Sequence, residues 1–187
     1  MRVLDLNSKL NLLVIIILLS WTSQCIHAQE SLETLIHAAE AAYLAGNYSD
    51  GLVYSKKAYD VSRSSLGEKH PDTLSSMSDL AYLYLKQGRY EIAEALLEEN
   101  LSSRSEVLGE KHPDTLVSMN NLADLYLKQD RYELAEPLFE ENLSLRSEVL
   151  GEKHPDTLSS MNNLALLYKE QGRYEIAEPL FEETLAL

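Results

Sequence analysis

The chain is short of cysteine, of basic residues and of long apolar runs, and each shortage closes off a class of function. Its only cysteine is Cys25, which lies ahead of a cleavage point expected after Ala28. A chain cut there keeps no thiol, so neither a disulfide framework nor a cysteine nucleophile is open to it. Lys and Arg number 16 against 30 Asp and Glu, a formal net charge of −14. Sequence-independent nucleic-acid binding needs cations that displace counterions, and a surface this acidic argues against it. The same charge argues against docking on anionic lipid, and it favours solubility and a basic partner. No stretch alternates with period two and no hairpin turn pair occurs, so strands are not expected. The apolar run from Leu12 to Leu19 falls short of the ~20 residues that a comfortable membrane span needs.

That run has a recognisable setting. Arg2 and Lys9 precede it against one acid, Asp5. Ser20, Thr22, Ser23 and Gln24 follow, and Ile26-His27-Ala28 offers a small residue ahead of Gln29. A basic start, an apolar centre and a small-residue exit make the order of a secretory signal. Residues 1–28 are expected to be a cleaved signal peptide, which would also remove Trp21. The remainder would then be secreted, or periplasmic and envelope-facing. An uncleaved N-terminal anchor is the alternative. Lipid modification of Cys25 is disfavoured, because Thr22 stands where a lipoprotein signal usually has leucine.

What the chain has in plenty is repetition. Leu-Gly-Glu-Lys-His-Pro-Asp-Thr-Leu begins at Leu66, Leu108 and Leu150, 42 residues apart each time. A fixed period of this size is the sequence mark of stacked repeats. Gly67, Gly109 and Gly151 can take the left-handed backbone that ends a helix. Pro71, Pro113 and Pro155 suit the first position of the next one. Asp72, Asp114 and Asp156 then meet the positive end of its dipole. Each copy reads as stop, short loop, start.

Between these signals the apolar residues follow helical spacing. One helix face carries Leu74, Met77, Leu80, Ala81 and Tyr84, repeated as Leu116, Met119, Leu122, Ala123 and Tyr126, and again as Leu158, Met161, Leu164, Ala165 and Tyr168. Gln87-Gly88 ends the first of these helices. Tyr132, Ala135, Leu138, Phe139 and Leu143 mark the buried side of a following helix, with counterparts in the other copies. The fold class is therefore all-α. Residues 29–66 form a divergent N-terminal helix pair that caps the stack, and full repeats occupy 67–108 and 109–150. Residues 151–187 make a third, shorter repeat. Pro137 and Pro179 fall about five residues into their helices, so the starts are expected at about Glu133 and Glu175 or later, or else with a mild kink. At the other end Phe181, Leu185 and Leu187 present apolar surface without a polar cap, a site for self-association.

His154-Pro155-Asp156-Thr157, Asn163-Leu164-Ala165, Tyr168, Gln171-Gly172-Arg173-Tyr174 and Ala177-Glu178-Pro179-Leu180-Phe181 together resemble the tetratricopeptide repeat, in its 42-residue kinesin-light-chain type. The resemblance is close over Leu66 to Leu187 and loose over Glu30 to Ser65. Asp130 departs from it, where Gly88 and Gly172 keep glycine. Asn100, Asn142 and Thr184 also depart, standing where the family has a small alanine, and they make the packing between repeats more polar. The resemblance implies a solenoid, a right-handed superhelix of antiparallel helix pairs, whose first helices line a concave groove that holds a peptide or partner segment. Ser78, Asn120 and Asn162 fall on the groove side, with Asn121 and Asn163 beside them. Tyr82, Asp124 and Leu166, then Lys169, continue that face. Asn120, Asn121, Asn162 and Asn163 resemble the family's peptide-holding asparagines, since an amide both donates to and accepts from a peptide backbone. The other reading is that these asparagines only stabilise the repeat.

Candidate chemistry fails on geometry. His70, His112 and His154 each precede an aspartate by two residues, but copies in successive repeats are separated by a helix pair, ~10 Å or more. Histidines so spaced cannot share a zinc with bonds of ~2 Å, and no nucleophile recurs with them. They read as a helix-start device. Glu98-Glu99, Glu140-Glu141 and Glu182-Glu183 lack the clustered oxygens of a calcium loop and read as a solvated face. Asn47-Tyr48-Ser49, Asn100-Leu101-Ser102 and Asn142-Leu143-Ser144 match the N-glycosylation acceptor. No catalytic residue, cofactor or metal is expected. The expected function is non-catalytic protein–protein interaction. The alternative is a truncated structural fragment of a longer protein, without a ligand of its own.

Overall fold

In a computed structural model of the chain, residues 32–186 are described. The expected signal peptide, with Trp21 and Cys25, lies outside them, as does Leu187. The described elements are all helices: α1 over 32–44, α2 Tyr48–Leu66, α3 Pro71–Lys86, α4 Tyr90–Leu108, α5 Pro113–Lys128, α6 Tyr132–Leu150, α7 Pro155–Glu170 and α8 Tyr174–Ala186. Among the described residues no helix is long and apolar enough to cross a membrane.

The repeated nine-residue stretch works as its chemistry demands. Gly109 and Gly151 sit at φ 90 and 91, and their N–H groups close α4 and α6 on the carbonyls of Ser105 and Ser147. Positive φ carries no Cβ penalty at glycine. Immediately before α5 and α7 a histidine side chain forms the cap. Nδ1 of His112 accepts from the Asp114 N–H at 3.2 Å, and that of His154 from Asp156 at 3.1 Å. His70 does the same for Asp72 at 3.2 Å. Each imidazole thus satisfies one of the orphan donors that open a helix, and the helix-start reading of these histidines holds.

The Asp130 departure is also accommodated. Among the described residues it is the non-glycine one with positive φ, 57, where Gly88 and Gly172 lie at 71 and 75. Aspartate tolerates this region better than most residues, and here its carboxylate accepts the Tyr132 hydroxyl at 2.8 Å. The prolines differ slightly from expectation. α6 and α8 begin at Tyr132 and Tyr174, a residue before the expected earliest starts, and Pro137 and Pro179 lie inside them. Each proline is the sixth residue of its helix, so it forgoes the bond to the carbonyl four residues back, and the helix runs through it all the same.

The described residues divide after Ser76 into two compact units. In the first, Leu32, Ala39, Ala58 and Leu74 are buried. Asn47 caps α2, its Oδ1 accepting from the Asp50 N–H at 3.3 Å. In the second, α4 packs on α5, α5 on α6, α6 on α7 and α7 on α8. Ala93, Ala123, Ala135 and Ala165 are fully buried in this unit, and their small side chains let helices approach closely. Phe139 is equally buried.

A polar seam runs through that apolar packing. Asn142 of α6 donates from Nδ2 to the Leu116 carbonyl of α5 at 2.6 Å and accepts the Ser160 hydroxyl of α7 at 2.7 Å. Arg146, one turn on, donates to Ser160 Oγ at 3.0 Å and to the Asp156 carbonyl at 2.8 Å. One repeat earlier, Asn100 accepts from Ser118 at 2.6 Å, and Arg104 donates to Ser118 and to the Asp114 carbonyl. Burial lowers the pKa of both guanidiniums, which is the electrostatic cost of placing a cation in a helix interface. Asn100 and Asn142 thus place polar contacts in the packing between repeats. Both asparagines are inaccessible, so their glycosylation motifs are closed in the folded chain, whereas Asn47 is exposed.

Candidate functional site

The expected groove residues separate into two groups. Ser78, Tyr82, Asn121 and Asp124 line one hollow of about 160 Å³ between α3 and α5. Leu85 and Leu97 are also part of its lining, and Lys86 and Lys128 complete it. The second group is engaged within the stack. Asn163 of α7 donates to Asn120 of α5 at 2.8 Å. Asn162 accepts the Thr184 hydroxyl of α8 at 3.1 Å. Ser78 has a foot in each group, since its hydroxyl also donates to Asn100 of α4 at 3.1 Å. Leu166 is 38 % exposed and Lys169 is exposed, and neither lines this hollow.

Asn121 and Asp124 are half-buried. Among the described residues, neither side chain has a hydrogen bond, while the equivalent Asn163 is bonded to its neighbour. Burial raises the Asp124 carboxyl above its ordinary pKa, and Lys128 one turn away offsets this in part. Lys86 lies over the Tyr82 ring, 4.9 Å from its centroid. The two lysines were missed from the sequence as site residues. Their signal was available, because Lys86 and Lys128 are one period apart, next to a leucine in each copy.

Other polar clusters hold the repeats together. Arg131 stacks on Tyr126 at 4.6 Å and reaches Glu94 of α4 at 2.7 Å, and Arg173 stacks on Tyr168 at 4.4 Å and reaches Glu136 of α6 at 2.8 Å. The Tyr126 and Tyr168 hydroxyls donate to Glu98 and Glu140. Burial first, and these carboxylates second, push both phenols up to about 12. A larger hollow of about 340 Å³ lies among α6, α7 and α8, lined in part by Glu140, Met161 and Glu183. It contains no expected site residue. Among the described residues, no three His, Cys, Asp or Glu side chains gather as metal ligands.

Successive helix pairs, α5 and α6 of 16 and 19 residues, with histidine caps opening α5 and α7 and like buried contacts between neighbours, define a helical-repeat protein. The chain belongs to the tetratricopeptide repeat family, whose profile matches residues 30–102, 77–141 and 118–187. Within that family it is of the kinesin-light-chain-like type. The nearly identical TPR-like repeats assigned to a Podosopora anserina kinesin light chain superpose with a TM-score of 0.70 at 26 % identity, over 83 % of this chain and 74 % of that one. A substituted form of the same repeats gives a TM-score of 0.73 at 26 % identity, over 83 % and 73 %. BtubC (BKLC) from P. vanneervenii shares the fold, with a TM-score of 0.64 at 24 % identity over 89 % and 72 %. No curated protein sequence matches the chain. Repeats of this family serve as protein-interaction scaffolds, and the fold is typically non-catalytic.

Proposed function

We propose that this protein is an exported, non-catalytic binding module that holds an extended peptide or partner segment along the face carrying Tyr82, Asn121 and Asp124. The observation that carries this reading is the pair of half-buried polar side chains, Asn121 and Asp124, which open on one hollow and bond to no described residue. Neither side chain is tied up within the repeat, so a ligand can replace solvent at both without breaking a scaffold bond. A bound backbone would supply what both lack, donors for the carboxylate and both donors and acceptors for the amide. Export is supported by the order of residues in 1–28 alone.

Selection of a random peptide library on the purified chain tests the groove. Tyr82→Ala and Asn121→Ala should each weaken the selected peptides by about tenfold, the scale of one good interface contact. Peptides that bind wild type and both variants equally would place the interaction elsewhere. For export, residues 1–28 fused to a reporter should send it out of the cytoplasm, and a reporter retained inside would remove that half of the proposal. Self-association through α8 is supported by Leu185, which is 89 % exposed. Sedimentation showing only monomer over a wide concentration range would exclude it.

A further inference from the structure

Resting on the groove reading, we infer that the hollow beside Asp124 receives a basic side chain, lysine or arginine, from the bound segment. Its lining has the parts such a side chain requires. Leu85 and Leu97 are 9 % and 3 % exposed and offer apolar surface to an aliphatic stem. Tyr82, 44 % exposed, borders the hollow with its ring already faced by Lys86, so it shapes the wall and is not the seat of the incoming charge. The Asp124 carboxylate is the acceptor for the charged head. The hollow, about 160 Å³, is small, on the scale of a single side chain and not of a folded element.

The carboxylate is not part of the scaffold of a repeat. The same register position is Tyr82 one period earlier and Leu166 one period later, and both repeats pack without an acid there. Asp124 is also poorly served where it is. It makes no ion pair or hydrogen bond with a described residue. Its raised pKa, set first by burial and only partly countered by Lys128, reflects the same lack of partners. An incoming cation would reverse that loss of solvation.

An acidic side chain seated on Lys86 and Lys128 is the competing occupant. Both ammonium groups belong to exposed residues, and Lys86 already lies over Tyr82. Exposed pairs of this kind discriminate weakly, whereas a half-buried carboxylate discriminates strongly between a donor and an apolar group. The formal charge of −14 adds a long-range bias toward cations.

The test uses the purified full chain and labelled, end-blocked peptides of one alanine–serine backbone with a single central Lys, Arg, norleucine or Glu. Affinities come from anisotropy, and the contacted face from amide shifts. Lys and Arg peptides should bind about tenfold or more tightly than norleucine, the ratio expected for one charge-assisted hydrogen bond. Asp124→Asn keeps the shape of the side chain and should bring Lys down to within about twofold of norleucine, with thermal unfolding confirming that the variant is folded. Equal binding of Lys and norleucine, tighter binding of Glu, or a lysine preference that survives Asp124→Asn would overturn the inference and leave the groove reading standing. If no peptide shifts residues of α3 or α5, the groove reading fails and this inference fails with it.

Discussion

Asn142→Ala is the sharpest probe of how the repeats are joined. Asn142 is inaccessible and holds α5 and α7 at once, through Leu116 and Ser160. Two buried hydrogen bonds contribute about 1 kcal/mol each, and partners left without them add a desolvation cost of about 1–3 kcal/mol. The expected loss is therefore about 3 kcal/mol. For a chain of this size that corresponds to a fall in Tm of about 6–12 °C. The chain contains its own comparison, because Ala58 and Ser62 stand in the first unit where Asn142 and Arg146 stand here. There the hydroxyl of Ser76, the counterpart of Ser160, is buried without a hydrogen-bond partner. The substitution should weaken one junction without abolishing the helices. Urea unfolding followed by helical circular dichroism gives the loss, and a double-mutant cycle with Ser160→Ala should return a coupling of about 1 kcal/mol or more. A loss under about 0.5 kcal/mol, the range of an ordinary surface change, or zero coupling to Ser160, would refute the reasoning.

Four other outcomes are expected. His112→Ala should cost about 1 kcal/mol by removing the α5 cap, and hydrogen exchange should localise the loss to the first turn of that helix. Asp130→Gly should stabilise by about 0.5–1 kcal/mol, because glycine relieves the positive φ at the cost of one exposed contact with Tyr132; a destabilised variant in thermal unfolding would contradict this. Tyr126 and Tyr168 have folded pKa values raised from 10.0 to about 12. The native state favours their neutral forms, so their contribution is intact below about pH 10 and is lost as pH rises toward about 12. Phenolate absorbance and helicity measured together should show Tyr126 and Tyr168 among the late-ionising tyrosines, with Tyr132 also raised by its bond to Asp130, and Tyr126→Phe and Tyr168→Phe should each take one away. Asp124 has a raised carboxyl pKa, so its ionisation opposes folding and stability falls as pH rises through its titration. Asp124→Asn should remove that dependence, and should equal or exceed wild type in urea unfolding at neutral pH.

Much of the architecture was legible because its determinants are local. Gly109, His112, Pro113 and Asp114 act on the backbone within a few residues of themselves, so the stop and start signals can be read without knowing what packs above them. The limits of α2, Tyr48–Leu66, follow from Asn47 and Gly67 in the same way. The prolines were less legible. Pro137 removes one backbone bond, which locally argues for a later start, yet α6 runs through it from Tyr132. The site was legible only as a face. Helical spacing put Ser78, Asn120, Asn121, Asn162 and Asn163 near one another, but it could not distinguish an amide held by a neighbour from one left open.

The order of residues alone determined that this is a chain of helices in repeating pairs, with capped starts, glycine stops and apolar stripes. Each of those features depends on backbone geometry within one or two turns. Tertiary structure decided which polar groups are engaged and which remain open. Asn120 and Asn163, 43 positions apart, meet only because α5 and α7 are brought side by side. Asn121 and Asp124 line a different gap, between α3 and α5, where neither is hydrogen-bonded to a described residue. A side chain's availability depends on distances between helices, and no local pattern records those distances.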